Sequence, residues 1–285
     1  MMLSPRPGED ARCEWAQQIL TEISAAFGHV FSLLQGRTDS PLADQTLEAC
    51  QSCQAVFVYN AADPALRVLC DEFNLPMLTR LCDLPLALCG RHESPIRMAL
   101  SQVLSLDGDT RRAAARQAEA LAQEEEALLC HVPPSGASAA AWTQDMPGEA
   151  LNAPEAMRQL ILSPNDLGLC LCPPYAGGML FSATLALYGD SSLLCDMAWE
   201  DGFGVYAPCL APVSSVRADR DACAAALAVA CLLRHSLGLV READCVNATL
   251  QNALSAGEKA PQDTVDLICE QISIAGALAG RGLKG

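Results

Sequence analysis

The sequence predicts an α/β protein, and three observations carry that prediction. Short apolar runs at 55–59 (AVFVY), 81–90 (LCDLPLALCG), 128–132 (LLCHV) and 167–172 (LGLCLC) have strand length and are followed by Asn, Arg or Pro. Between them lie longer stretches with helical spacing or helix-forming composition. No internal repeat interrupts this alternation, which argues for helices packed on a sheet.

Taken in order, residues 11–27 place Trp15, Ile19, Leu20, Ile23 and Phe27 on one helical face. Ala55 to Tyr59 is an apolar run without polar alternation, as expected of a buried strand. Residues 64–72 predict a helix and 81–90 a strand. The Ala- and Glu-rich stretch 110–127 is strongly helical. Residues 128–132 predict a strand that stops at Pro133 and Pro134. Residues 154–162 predict a helix with proline at its start. The strand at 167–172 ends at Pro173, and a helix is expected from about Gly178. Residues 221–239 are apolar nearly all round, so that helix should be buried, against the chain itself or a second subunit. An amphipathic helix is expected over 241–255, stopping at Gly257. The tail GALAGRGLKG reads as frayed.

Composition narrows the function. The chain has 285 residues, 51% of them hydrophobic, enough for one large domain or two small ones. Aromatics make up 5%, so the core must be mostly Ala, Leu, Val and Cys. A formal net charge of -16 disfavours nucleic acid and anionic membranes, which recruit clustered Lys and Arg. The first residues form no apolar signal region. The longest apolar run, 222–233, is too short to span a bilayer. A soluble, cytoplasmic protein is expected.

Fifteen cysteines are scattered and odd in number, which argues against a disulfide framework. Cys50 and Cys53 form a lone CxxC that reads as a helix end. Cys170 and Cys172 alternate on a strand and so share a face. Zinc sites usually need a second such pair or added histidines, so these thiols are read as small apolar core residues. The run Glu124-Glu125-Glu126 reads as a solvated helix face. No G-x-S-x-G, H-E-x-x-H, P-loop or G-x-G-x-x-G occurs.

Several segments nevertheless follow one pattern in order. Pro7-Gly8-Glu9-Asp10-Ala11-Arg12-Cys13-Glu14 stands where isopropylmalate dehydrogenases carry P-G-D-G-I-G-P-E. PLADQTLEACQSCQAVFV is similar to P-L-P-E-E-T-L-E-A-C-x-x-A-D-A-V-L. Residues 171–182 (LCPPYAGGMLFS) resemble V-T-x-N-L-F-G-D-I-L-S-D. Residues 206–239, with Tyr-x-Pro and CLLRHSLGL, resemble Y-E-P-V-H-G-S-A-P-D…S-A-A-M-L-L-R-Y-S-L-G-L. No single motif is intact, but order and spacing agree from about residue 4 to 257. The chain thus resembles a degenerate, shortened member of the isocitrate/isopropylmalate dehydrogenase family. The resemblance implies a two-domain α/β fold with a central sheet flanked by helices. Its cofactor-type domain would take in residues 1–88 plus 200–285, and its dimerisation and metal-type domain residues 89–199 with a shortened arm. Family enzymes are dimers that oxidise and decarboxylate a 2-hydroxy acid with NAD or NADP and Mg or Mn.

Carried over residue by residue, the resemblance leaves little of that chemistry. The two metal-binding Asp positions fall on Gly178 and Ser182. A third, supplied by the partner subunit, falls near Pro154 and Glu155. Hard divalent cations ask for carboxylate oxygens, and Glu155 alone could supply one. The catalytic Lys position is Val132, which cannot transfer a proton; strand alternation points the neighbouring His131 to the other face. The catalytic Tyr has no counterpart between Tyr59 and Tyr175. The adenine-contacting His is replaced by Leu210. Asp10 and Arg12 stand at family glycines, where side chains can block a ligand's approach to the backbone. Asp219 and Asp221 read as helix caps. Arg67, Arg80 and Arg91 match or replace substrate-binding arginines, and their planar forks suit an anionic small molecule. These substitutions imply a catalytically inactive binding or regulatory homologue that needs no cofactor and pairs as a homodimer or as a heterodimer with a paralogue. The alternative is an active NAD-dependent or repurposed oxidoreductase on a small 2-hydroxy acid. That alternative would need NAD with Mg or Mn, or a new acid or base among His131, His92 and Glu155.

Overall fold

A computed structural model of the chain describes residues 1–8, 10–39, 41–84, 95–188, 193–200, 202–209, 218–255 and 260–282. The chain divides into two compact units, one of Met1–Leu69 with Trp199–Gly285 and one of Cys70–Ala198.

The first unit opens with β1 (Met2–Ser4), α1 (Ala11–Phe27), β2 (Gln35–Arg37), α2 (Asp44–Gln51), β3 (Ala55–Val58) and α3 (Pro64–Glu72), whose last turn belongs to the second unit. Asp10 caps α1 by accepting a hydrogen bond from the Arg12 backbone N–H at 3.0 Å. The expected apolar face of α1 buries Ile19, Leu20 and Ile23, while Trp15 and Phe27 are half-buried. All four residues of β3 are buried, which is why its sequence shows no polar alternation.

The second unit contains β4 (Met77–Leu84), β5 (Ile96–Val103), α4 (Gly108–Glu124), β6 (Leu129–His131), α5 (Ser138–Asp145), β7 (Glu149–Ala150), α6 (Ala153–Leu162), α7 (Pro164–Leu167), β8 (Leu169–Cys172), α8 (Pro174–Tyr188) and β9 (Leu194–Glu200), whose last two residues are counted with the first unit. Its strands follow the order β9-β4-β5-β8-β6-β7. β4 is antiparallel to both β5 and β9, and the remaining pairs are parallel. β4 begins four residues before the expected run, and residues 85–90 lie outside the described residues. The unit boundary inside α3 keeps β4 with its partners β5 and β9, whereas the sequence suggested a division near residue 88. α8 begins at Pro174, earlier than expected. Proline lacks only an N–H that the first turn leaves unpaired anyway, so it starts a helix without loss.

The chain returns to the first unit with β10 (Phe203–Pro208), α9 (Ala218–His235), α10 (Val240–Ser255) and α11 (Pro261–Gly282). This unit's four strands follow the order β2-β1-β3-β10, all parallel. The run from Ala222 to Leu233 is buried throughout. Its covers are α1, α10, α11, β3 and β10 of the same unit, so no second copy is required to bury it. α9 stops at His235 because Gly238 adopts φ +65 in the turn to α10. The expectation of a frayed tail is corrected: α11 continues through Gly282. Val265, Ile268 and Ile272 are buried, and Gly276 sits so close to Ala26 of α1 that an added Cβ would meet it at 2.6 Å. Tertiary packing here outweighs the poor helix propensity of the tail glycines.

Candidate functional site

The two α8 positions singled out in the sequence, Gly178 and Ser182, lie one turn apart on an exposed face of that helix. Neither carries a carboxylate. The Ser182 hydroxyl donates to the Gly178 carbonyl oxygen at 2.8 Å, and an added Cβ at Gly178 would meet nothing within 4 Å. Glu155 sits in the first turn of α6, where its backbone N–H is capped by Asn152 Oδ1 at 2.9 Å. Both Glu155 carboxylate oxygens accept from Arg158, at 2.7 and 3.0 Å, and this guanidinium holds the carboxyl below its usual range. Among the described residues, no group of three His, Cys, Asp or Glu side chains could hold a metal ion.

Val132 follows β6 and is 1% exposed, with its N–H donating to the Leu171 carbonyl. Its neighbour His131 is also buried. His131 Nδ1 lies 3.1 Å from the Pro147 carbonyl oxygen, which assigns the ring proton to Nδ1, and Nε2 meets no protein partner.

Arg80 lies in the middle of β4 and is 8% exposed. Its Nε and Nη2 donate to the two carboxylate oxygens of Asp196 on β9, each at 2.7 Å. Nη1 donates to the Phe181 carbonyl on α8 at 2.7 Å, and the guanidinium stands 4.7 Å from the centre of the Phe181 ring. A fork occupied in this way joins two strands and a helix instead of presenting donors to a ligand. Sequence reasoning missed Asp196. Its signal was a single charge inside the apolar run LLCDMAW, because a charge on a buried strand needs a partner. Arg67 lies on the exposed side of α3 in the first unit. Arg91, His92 and Leu210 lie outside the described residues.

In the first unit, Asp10 closes the loop after β1 and Arg12 stands in the first turn of α1. The Arg12 guanidinium stands 3.6 Å from Asp10 and 3.5 Å from Asp221, and 5.8 Å from the centre of the Tyr59 ring. Burial, then the nearby Asp63 carboxylate, push the Tyr59 phenol above its usual range. The carboxyl ends of β1 and β3, where open parallel sheets usually receive ligands, therefore present an arginine already shared between carboxylates. Among the described residues, no helix is long and apolar enough to cross a membrane.

No family model matches the chain. A stretch of 105 residues is 33% identical to 3-isopropylmalate dehydrogenase from Syntrophotalea carbinolica, covering 36% of this chain and 29% of the relative. A stretch of 148 residues is 29% identical to the enzyme of that name from Colwellia psychrerythraea, covering 46% and 41%. The matches thus span less than half the length of these curated relatives. In fold the likeness is wider. Isocitrate dehydrogenase from Methylococcus capsulatus superposes with a TM-score of 0.77 at 12% identity, over 95% of this chain and 98% of the other. A beta-decarboxylating dehydrogenase from Thermococcus kodakarensis gives 0.72 at 17% identity, over 95% of each chain.

Proposed function

Since the chain is isocitrate/isopropylmalate dehydrogenase-like, in sequence over the matched stretches and in fold over nearly its whole length, we propose that it acts as a non-catalytic binding or regulatory homologue of that family. The observation that carries this reading is the bond between Ser182 and Gly178. Hard divalent cations are held mainly by carboxylates. At the two α8 positions this chain offers a backbone without a side chain and a hydroxyl engaged as a donor. Glu155, the remaining carboxylate, is committed to Arg158. The residues present do not fit a magnesium or manganese site. Val132 supports the same reading, because a buried valine cannot relay a proton.

Nor do they fit a dinucleotide. A pyrophosphate seeks free N–H groups and uncompensated cations. Beside the β1 loop it would meet the carboxylates of Asp10 and Asp221 around a guanidinium that they already neutralise. Arg80 serves structure, so an anionic small molecule would be met by the exposed Arg67 or by Arg91. The exposed apolar residues of α8, Tyr175, Met179 and Leu187, support pairing with a second copy or a paralogue.

Calorimetric titration with Mg²⁺ or Mn²⁺ and NAD⁺, with isopropylmalate present and absent, tests the proposal. Metal and cofactor should give no saturable heat. Saturation by both would restore a dehydrogenase reading and overturn this one.

A further inference from the structure

One end of the first unit gathers sulfur atoms that are distant in sequence. Cys50 lies in the last turn of α2 and Cys53 just beyond it. The Cys53 N–H donates to the Cys50 carbonyl at 3.0 Å, closing an i,i+3 turn that sets the two residues side by side. The Cys50 thiol is buried and lies 3.5 Å from Met1 Sδ, 49 residues away. Cys53 is half-buried and lines a cavity of about 330 Å³ together with Met1, Met2, Leu20 and Ala55. This cavity adjoins the amino ends of β1 and β3, the opposite end of those strands from the Arg12 cluster.

We propose that Cys50, Cys53 and Met1 form a binding site for a soft monovalent cation, copper(I), which the cavity lets reach Cys53. Two thiolates and a thioether are the ligands such a cation prefers. Zinc draws instead on cysteine, histidine and carboxylate, and the thioether gives it nothing. On binding, each thiol loses its proton to solvent and each sulfur donates a lone pair, so the oxidation state of copper and sulfur is unchanged. Cys53 exchanges its present hydrogen bond to the Ala49 carbonyl, at 3.2 Å, for the metal.

The reduced protein, under anaerobic conditions, is titrated against the coloured copper(I) complex of bicinchoninate. One equivalent of copper should be withdrawn, and X-ray absorption should show sulfur neighbours only. Cys53→Ser should weaken retention by at least about tenfold, and Cys50→Ser likewise where it folds. Cys245→Ser, which removes the other half-buried thiol among the described residues, should retain wild-type affinity. Failure of the wild-type protein to compete, nitrogen or oxygen neighbours, or wild-type affinity in Cys53→Ser would each overturn the proposal. None of these readings depends on NAD, divalent metal or isopropylmalate.

Discussion

The hydroxyl of Ser182 reaches back one turn and donates to the carbonyl oxygen of Gly178 at 2.8 Å. These α8 positions thus satisfy each other within the helix. Gly178 has open space where a side chain would stand, and it lies inside the continuous helix α8.

Gly178→Ala should accordingly stabilise the protein by about 0.5–1 kcal/mol, the usual difference between glycine and alanine inside a helix. Urea unfolding measures this. A loss of stability would show that the added methyl is not accommodated as the open space around Gly178 implies.

Asp196→Ala should be far more damaging. It strands the Arg80 guanidinium in a buried site with one carbonyl partner among the contacts described, and breaking a buried pair on one side costs about 3–5 kcal/mol. Replacing both residues, Arg80→Met with Asp196→Leu, should recover most of the loss. A mild effect of Asp196→Ala alone would mean that water reaches the pair.

Asp83 gives stability a definite pH slope. Burial raises its carboxyl above the usual 3.8, and Arg97 at 3.6 Å only partly opposes this. Between 3.8 and the raised value the native state therefore holds more protons than the unfolded chain. Its contribution to stability falls as pH rises through that window. Asp83→Asn should flatten the slope and gain stability, relative to the parent, near neutral pH. Urea midpoints collected across the acid range decide it; an unchanged slope refutes the assignment.

Brief alkylation of the native protein should label Cys53 and Cys245 ahead of the other described cysteines, all of which are buried. Burial, then Glu242, raise the Cys245 thiol, which should slow its own labelling at neutral pH. Peptide mass analysis reads the order. Equally fast labelling of Cys130, Cys170 and Cys172 would show that the β6–β8 core opens.

The apolar residues exposed on α8 predict self-association. Light scattering should give a dimer, and Met179→Glu should give a monomer of native fold. A monomeric wild-type protein would remove the second copy as partner.

Much of the fold was legible because period and composition carry it. α1 and α4 were placed from apolar spacing and Ala/Glu content, β3 and β8 from apolar runs between turn residues. β5 and β9 were not seen, because Ser101 and Asp196 place polar groups in buried strands. Only their partners explain them: Thr79 with Ser101 at 2.8 Å, and Arg80 with Asp196. α11 was hidden by its glycines, whose value appears only where Gly276 meets Ala26. Among the site residues, the lack of a carboxylate at Gly178 and of a proton-carrying group at Val132 could be read from letters alone. What Arg80 and Glu155 do could not, because a charge in sequence names no partner. The contact between Cys50 and Met1 spans 49 residues and leaves no local pattern at all.

In the second unit, β4 and β9 run antiparallel side by side, with Thr79 opposite Met197 and Cys82 opposite Leu194. The strand by which the chain enters this unit and the strand by which it leaves are thus neighbours. A segment built in this way is a cassette: a short linker would join its two ends, and an exchange for the equivalent segment of a relative would bridge no long gap.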